Sequence, residues 1–346
     1  MSFQVRISAS EIAFACKGDE TVLDAAERAG YALPYSCRKG VCETCACPLV
    51  EGEVDVRGRG RVAGPDRHVP ICQAQPFTDI EIAPRRIERS AAPVRKSLAA
   101  TVYRISRPTP DVAVLTLRFP AGVRARFRAG QYLQVVMPDG ARRNYSMANP
   151  SHENDGAELH IRRVPGGRFS EGVLAGLVPG GKLTVELPFG QFFLRGDATV
   201  PAIFVATGTG FAPIKSMIED ALKRSDKRPM WLYWGARGRG DLYMLERIER
   251  WAARAAAFSF VPVLSEASGE WQGRTGLVHR AVLDDRPDLA PVEVYACGNP
   301  LMIAAARADF CREAGLPEEH FYSDAFVASD TPDVPALCVP NRGVSR

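Results

Sequence analysis

The chain has 346 residues, 46% apolar and 24% charged, with a formal net charge of +4. That composition supports packed cores rather than disorder, and the length predicts two or three domains. No long basic run or aromatic–basic stripe appears, and no stretch of about 18 apolar residues exists, so neither a nucleic-acid partner nor a membrane span is expected.

The opening residues MSFQVRISASEIAFACKGDE lack the basic-then-apolar pattern of a secretory signal, and the nine cysteines are an odd number. A reducing cytoplasm is the expected setting, where clustered cysteines are more often metal ligands than disulfides. FQVRI and EIAFAC predict an opening hairpin. TVLDAAERAG predicts a helix with Thr21 as N-cap and Gly30 as its stop.

YSCRKGVCETCACPLVEG then places Cys37, Cys42, Cys45 and Cys47 within eleven positions, and Cys72 follows Cys45 after 26 intervening residues. C-x4-C-x2-C with a distal cysteine is the spacing of a plant-type [2Fe–2S] centre. Its two irons and two sulfides need four thiolates, and a glycine-containing loop lets backbone N–H groups face the sulfurs. Gly40 lies in that loop, and Arg38 and Lys39 add positive charge. No cysteine has a histidine two or three residues on, which excludes a Rieske centre as ligand set here. A structural zinc site is the rival, although zinc ribbons usually pair two C-x2-C hooks. The expected ligands are Cys37, Cys42, Cys45 and Cys72. Cys47 is a rival for the fourth position, but period-2 alternation in CACPLVEGEV makes it a strand residue on the face of Cys45, and a small buried one. Cys16, Cys311 and Cys338 take the same packing role.

Residues 1–81 carry 9 Lys/Arg against 12 Asp/Glu, so the excess of positive charge lies in the remainder. APRRIERSAAPVRKS, residues 83–97, is a linker by composition. From residue 98, DVAVLTLRFP places Leu115, Leu117 and Phe119 on one face, and Asp139-Gly140 sits between extended runs as a hairpin signal. ELHIRRV and KLTVELPFG add short strands, so residues 98–198 predict a small antiparallel barrel. Two polar stretches punctuate it: RNYS, Arg143 to Ser146, and PGGRFSEGVL, which predicts a helix N-terminus suited to an anion.

Residues 199–328 alternate strands and helices: PAIFVATGTGFAPIKS, PMWLYWGARG, FSFVPVLSE and VEVYACGNP. A parallel doubly wound sheet follows. The loop Gly208-Thr209-Gly210-Phe211-Ala212-Pro213 reads G-x-G-x-x-P, with Pro213 suited to a helix N1 position. Residues 329–346 have no period and are expected to be a mobile tail.

The cysteine spacing makes residues 1–82 resemble a plant-type ferredoxin, an α+β β-grasp domain. RNYS with PGGRFS resembles the flavin motifs of the ferredoxin–NADP reductase family, and G-x-G-x-x-P departs from the Rossmann fingerprint as that family does. The domain order resembles the reductase components of multicomponent aromatic-ring-hydroxylating oxygenases, in particular those serving aromatic acids. The resemblance covers about residues 1–328. It implies a ferredoxin domain, an antiparallel flavin-binding β-barrel and an α/β parallel-sheet nicotinamide-binding domain. It also implies an NAD(P)H-dependent iron–sulfur flavoprotein holding FAD and a [2Fe–2S] cluster, with a terminal Rieske-type oxygenase as partner. Residue by residue, Arg143 would contact the pyrophosphate or ribityl region, Tyr145 the isoalloxazine, and Ser146 the region of N5. Gly166, Gly167 and Ser170 would cradle the pyrophosphate, and Gly208, Thr209 and Gly210 the nicotinamide dinucleotide. Cys297, with Gly298, would lie beside nicotinamide C4, and Phe326 against the flavin. The second strand of the nicotinamide domain ends in Arg237 and Arg239 with the first acid at Asp241, so a 2′-phosphate is not repelled. A reductase for sugar deoxygenation and a non-redox zinc-binding interaction protein are the alternatives.

Overall fold

The computed structural model describes residues 1–89, 95–196 and 198–327. The expected tail 329–346, with Cys338, lies outside the described residues, as do residues 90–94 of the expected linker. The described chain forms two compact units, divided between residues 89 and 95. Among the described residues no helix is long and apolar enough to cross a membrane.

In the first unit Ser2–Ile7 and Ala13–Lys17 form the expected antiparallel hairpin. Alternation buries Val5, Ile7, Phe14 and Cys16 on one face. The five-stranded sheet runs Ala13–Lys17, Ser2–Ile7, Ile80–Ile82, Ala46–Glu51, Asp66–Pro70. Within it Ser2–Ile7 and Ile80–Ile82 run parallel to each other. Helix Val22–Arg28 lies over the sheet, burying Val22, Leu23, Ala25 and Ala26. Thr21 caps the helix by accepting from the Asp24 N–H at 3.2 Å, and Gly30 follows at φ +81°. The sheet grasping one helix is the β-grasp arrangement. Glu88–Arg89 pair with Tyr31–Ala32, so ordered structure reaches into the stretch read as linker from its N-terminal side. From its C-terminal side the next strand already begins at Lys96.

The second unit opens with a six-stranded antiparallel sheet, in the order Arg142–Ser146, Tyr132–Val136, Lys182–Phe189, Lys96–Thr109, Val112–Arg118, Gly156–Arg162. A bridge between Met147 and Leu159, with Ala148 N–H donating to Glu158 O at 2.7 Å, joins the two edges and closes the barrel. Leu115, Leu117, Leu133, Val135, Leu159, Ile161, Val185 and Leu187 fill it. Asp139-Gly140 turns the hairpin as expected, with Gly140 at φ +81°.

The rest of that unit is a six-stranded, all-parallel sheet: Arg274–Thr275, Phe258–Leu264, Met230–Ala236, Ala202–Thr207, Glu293–Gly298, Phe321–Ala325. Four strands were expected. The two further ones are the edge strands: Arg274–Thr275 is too short to show a period, and Phe321–Ala325, in the stretch FYSDAFVAS that also reads as an apolar core strand, is buried at four of its five residues. Helix Phe211–Lys223 starts two residues before Pro213, which occupies the third helical position rather than the first. Proline is tolerated there because the first-turn N–H groups have no intrahelical acceptor.

Candidate functional site

The cysteine loop is built by backbone geometry. Gly40 has φ +74°, and Arg38 and Glu43 adopt left-handed φ of 54° and 56°. Arg38 is held there by ion pairs to Asp24 (2.5 Å) and Glu27 (2.7 Å) on the preceding helix and by the face of Tyr35 at 4.5 Å. The loop turns its amides on the sulfurs. Lys39 N–H donates to Cys37 Sγ at 3.3 Å, Cys42 N–H also faces Cys37, and Gly40 N–H faces Cys72. Gln73 clamps the distal cysteine by donating to the Arg38 and Cys72 carbonyls at 2.7 and 2.9 Å.

All four expected ligands are buried free thiols. They form two close pairs: Cys45 with Cys72, 3.2 Å apart, and Cys37 with Cys42, hydrogen-bonded to each other. A binuclear cluster takes two protein thiolates on each iron, and two pairs are what the loop presents. Cys47 is apart from both pairs. It pairs with Val69 inside strand Ala46–Glu51, its Sγ rests on its neighbour Pro48 O at 3.6 Å, and burial pushes its thiol up to about 12. Cys45 sits in the turn before that strand, so the expected shared strand face does not arise.

In the barrel, Arg143 and Tyr145 share one face of strand Arg142–Ser146, and Ser146 ends it, buried on the other. The Tyr145 ring lies 5.1 Å from Phe169, and burial raises the pKa of its phenol. The glycine stretch leads into a helix N-terminus as expected: Gly167 precedes a wide helical turn, Arg168–Val173, that runs on into Leu174–Gly176. Ser170 lies inside that turn, and its Oγ accepts from Val164 N–H at 3.0 Å. Gly166, at φ +70°, gives its N–H to Glu171 at 2.7 Å. Arg163 pairs with the same carboxylate, and Arg168 pairs with Asp139.

The parallel sheet has a cleft of about 710 Å³ at the carboxyl ends of its strands, within the range of cofactor sites and at the place open α/β sheets bind ligands. It gathers Gly208, Thr209, Arg237, Gly298 and Phe326 from the expected set, together with Asp241. Arg239 is exposed and does not line it. Cys297 is fully buried directly behind Gly298, and burial, reinforced by Asp324, raises its thiol well above the usual range. Gly210 packs on it: a Cβ there would lie 2.3 Å from the Cys297 carbonyl oxygen. Gly298, at φ +129°, brings its backbone against Thr207, whose Oγ1 accepts from Asn299 N–H at 2.9 Å. Asp241 accepts from Gly238 N–H at 3.0 Å.

Several site residues went unrecognised in the sequence. Arg162, on the barrel, lines the cleft against Gly208 and pairs with Asp111 at 3.2 Å. On the same strand Glu158 and His160 form a buried polar cluster with Lys215, which reaches Glu158 at 3.0 Å, Glu219 at 2.8 Å and Ala148 O at 3.0 Å. Burial works against the charge of Glu158, yet His160 and Lys215 together outweigh it and hold the carboxyl well below its usual range, so it is ionised. It accepts from His160 Nε2–H at 3.1 Å, so the Tyr243 hydroxyl donates to Nδ1 at 2.9 Å. The available signal was Glu158, His160 and Arg162 alternating with Ala157, Leu159 and Ile161: a second, polar face.

Three family models match: a 2Fe-2S iron-sulfur cluster binding domain over residues 5–77, an oxidoreductase FAD-binding domain over 99–194 and an oxidoreductase NAD-binding domain over 204–308. The chain is 40% identical to the reductase component 1 of terephthalate 1,2-dioxygenase from Comamonas sp., covering 96% of this chain and 99% of that protein. It is 38% identical to the CDP-6-deoxy-L-threo-D-glycero-4-hexulose-3-dehydrase reductase of Yersinia pseudotuberculosis, covering 95% and 100%. The crystal structure of an Amycolatopsis cytochrome P450 reductase superposes with TM-score 0.75 at 32% identity, covering 96% and 100%. The chain belongs to the NAD(P)H-dependent iron–sulfur flavoprotein reductases of the ferredoxin–NADP reductase family that carry an N-terminal [2Fe–2S] domain, with FAD as their flavin.

Proposed function

We propose that this chain passes electrons from NAD(P)H through FAD and a [2Fe–2S] cluster to a terminal Rieske-type oxygenase acting on an aromatic acid such as terephthalate. The carrying observation is the union, in one chain, of two close thiol pairs, a closed barrel and a dinucleotide-sized cleft; the similarity to a terephthalate dioxygenase reductase component supports the choice of partner. The working division is 1–82 ferredoxin, 83–97 linker, 98–198 flavin barrel, 199–328 nicotinamide domain and 329–346 tail.

When bound, the groups supply the chemistry: a hydride from the nicotinamide, exchange of an electron pair for single electrons at the flavin, and a one-electron port at the cluster. The chain's residues hold and screen them. The pairs Cys37–Cys42 and Cys45–Cys72 would each hold one iron. Arg143 offsets phosphate charge, Tyr145 covers the flavin ring, and Ser146 offers its hydroxyl to the ring edge. Gly166, Gly167 and Ser170 would line the flavin pyrophosphate, beside a Glu171 carboxylate that accepts the Gly166 N–H. Arg162 and Arg237 make the cleft cationic, which suits an anionic dinucleotide. Cys297 backs Gly298 as an uncharged, water-free wall, and Phe326 screens the reacting edge.

The test couples the purified protein to purified oxygenases. NADH-dependent dihydroxylation of terephthalate by its oxygenase, absent without the reductase, is the expected result. A second reading, electron supply to sugar-nucleotide deoxygenation, is favoured by the 38% identity to the hexulose dehydrase reductase; coupling to that dehydrase alone would establish it instead.

A further inference from the structure

We propose that Trp234 is a positioning residue for the nicotinamide dinucleotide: its indole N–H pins the Gly208 carbonyl inward and so turns the Thr209 N–H into the cleft, toward the dinucleotide's pyrophosphate. Trp234 has no exposed surface and takes no part in the cleft lining. Its Nε1–H donates to Gly208 O at 3.1 Å. That oxygen also accepts from Phe211 N–H, which closes the turn Gly208–Gly210. The peptide joining Gly208 to Thr209 is a rigid plane, with its C=O and N–H pointing opposite ways. With the oxygen fixed toward the indole, the Thr209 N–H faces away from it, on the side where Gly208 and Thr209 line the cleft. In this first turn it has no intrahelical acceptor, so it serves as an anion donor. Gly208 stands at φ +53°, a left-handed conformation that glycine adopts readily and that a free loop would leave among several others. The hydrogen bond selects it.

The indole is itself held on several sides. The Phe211 ring stacks on it at 4.3 Å and 20°. Tyr243 meets it edge-on at 5.2 Å and 86°, and the Tyr243 hydroxyl is bonded to His160 on the barrel. A donor that cannot swing is what a preorganised binding loop requires.

The inference rests on the cleft being the dinucleotide site. The test is NAD⁺ and ADP-ribose affinity for the oxidised holoenzyme by calorimetry, with steady-state KM and kcat for NADH. Trp234→Phe keeps a stacking ring and loses the N–H. Both affinities should fall, and KM rise, about five- to tenfold, the scale of one hydrogen bond. Saturating kcat, FAD and iron per chain, and the unfolding midpoint should hold. Trp234→His restores a ring N–H in a smaller, more polar ring. A donor role ranks affinity wild type, then His, then Phe, whereas a packing role ranks Phe above His. Trp251→Phe, which removes an indole near Phe211 but not on the loop, should leave affinity unchanged. Equal binding by wild type and Trp234→Phe overturns the inference. If wild type binds neither ligand, the reading of the cleft itself fails. Should Trp234→Phe not fold, the wild-type indole N–H resonance, assigned by Phe substitution at the other three tryptophans, decides. It should shift when ADP-ribose is added, and an unmoved resonance overturns the inference.

Discussion

At the residue scale, five cysteines in one neighbourhood have two fates, and burial alone does not separate them. Cys47 and Cys72 are both buried, but only Cys72 has a thiol beside it, at 3.2 Å from Cys45. Cys47→Ser should retain two irons per chain, whereas Cys72→Ser should lose the cluster; iron analysis and visible absorbance read both. His160 offers a test of the polar cluster. Burial holds it below its ordinary pKa, and burial shifts His279 the same way. At these two histidines the unfolded chain binds protons that the folded chain refuses, so their contribution to stability is full above about pH 6.5 and falls on acidification below it, whereas His68, raised by its hydrogen bond to Glu43, shifts the opposite way. In denaturant titrations between pH 7 and 5, His160→Gln should flatten this loss by up to ~1.4 kcal/mol per pH unit, the slope of one proton. Arg237 and Asp241 both line the cleft. Because Asp241 is turned onto the Gly238 N–H, NADPH should be used with less than about hundredfold discrimination, or under ~2.8 kcal/mol. Arg237→Ala should lower kcat/KM for NADPH more than for NADH. A native preference for NADH far beyond that limit would place Asp241 on the ribose.

At the element scale, legibility follows locality. The opening hairpin, the Thr21 cap, the Asp139-Gly140 turn and the buried strand Ala202–Thr207 each carry their cause within a few residues, and each was legible in the sequence. The edge strand Arg274–Thr275 forms because a neighbouring strand offers its hydrogen bonds, a cause that no local pattern carries. Two substitutions test the local causes. Thr21→Ala should cost about 1 kcal/mol of stability through the lost cap. Gly298→Ala should cost more, about 3 kcal/mol, since its Cβ would lie 2.3 Å from Thr207 Oγ1 in a conformation that alanine resists. Thermal and denaturant unfolding of each variant would show the order.

At the scale of the whole molecule, the cysteine spacing, the glycine motifs and their order were enough to name three cofactor modules. The coupling between barrel and parallel sheet was not legible. Glu158, His160, Lys215, Tyr243 and Trp234 are scattered over 86 residues of sequence and meet only in the folded unit. Charge is also a whole-chain property. The acidic first 81 residues carry the one-electron port, so reduction of a basic acceptor such as cytochrome c should slow severalfold as salt rises, while reduction of a neutral quinone should not. Equal salt dependence for both would remove the role of that charge.

The pairing of Cys45 with Cys72 across 27 positions has a consequence for biogenesis. On the proposed ligand set, a chain emerging from the ribosome offers Cys37, Cys42 and Cys45 before Cys72. Strand Asp66–Pro70 must also dock on Ala46–Glu51 to bring Cys72 home. Completing the four-thiolate set is thereby tied to folding of the module, so cluster insertion and folding are thermodynamically linked, and loss of the cluster should lower the stability of this unit.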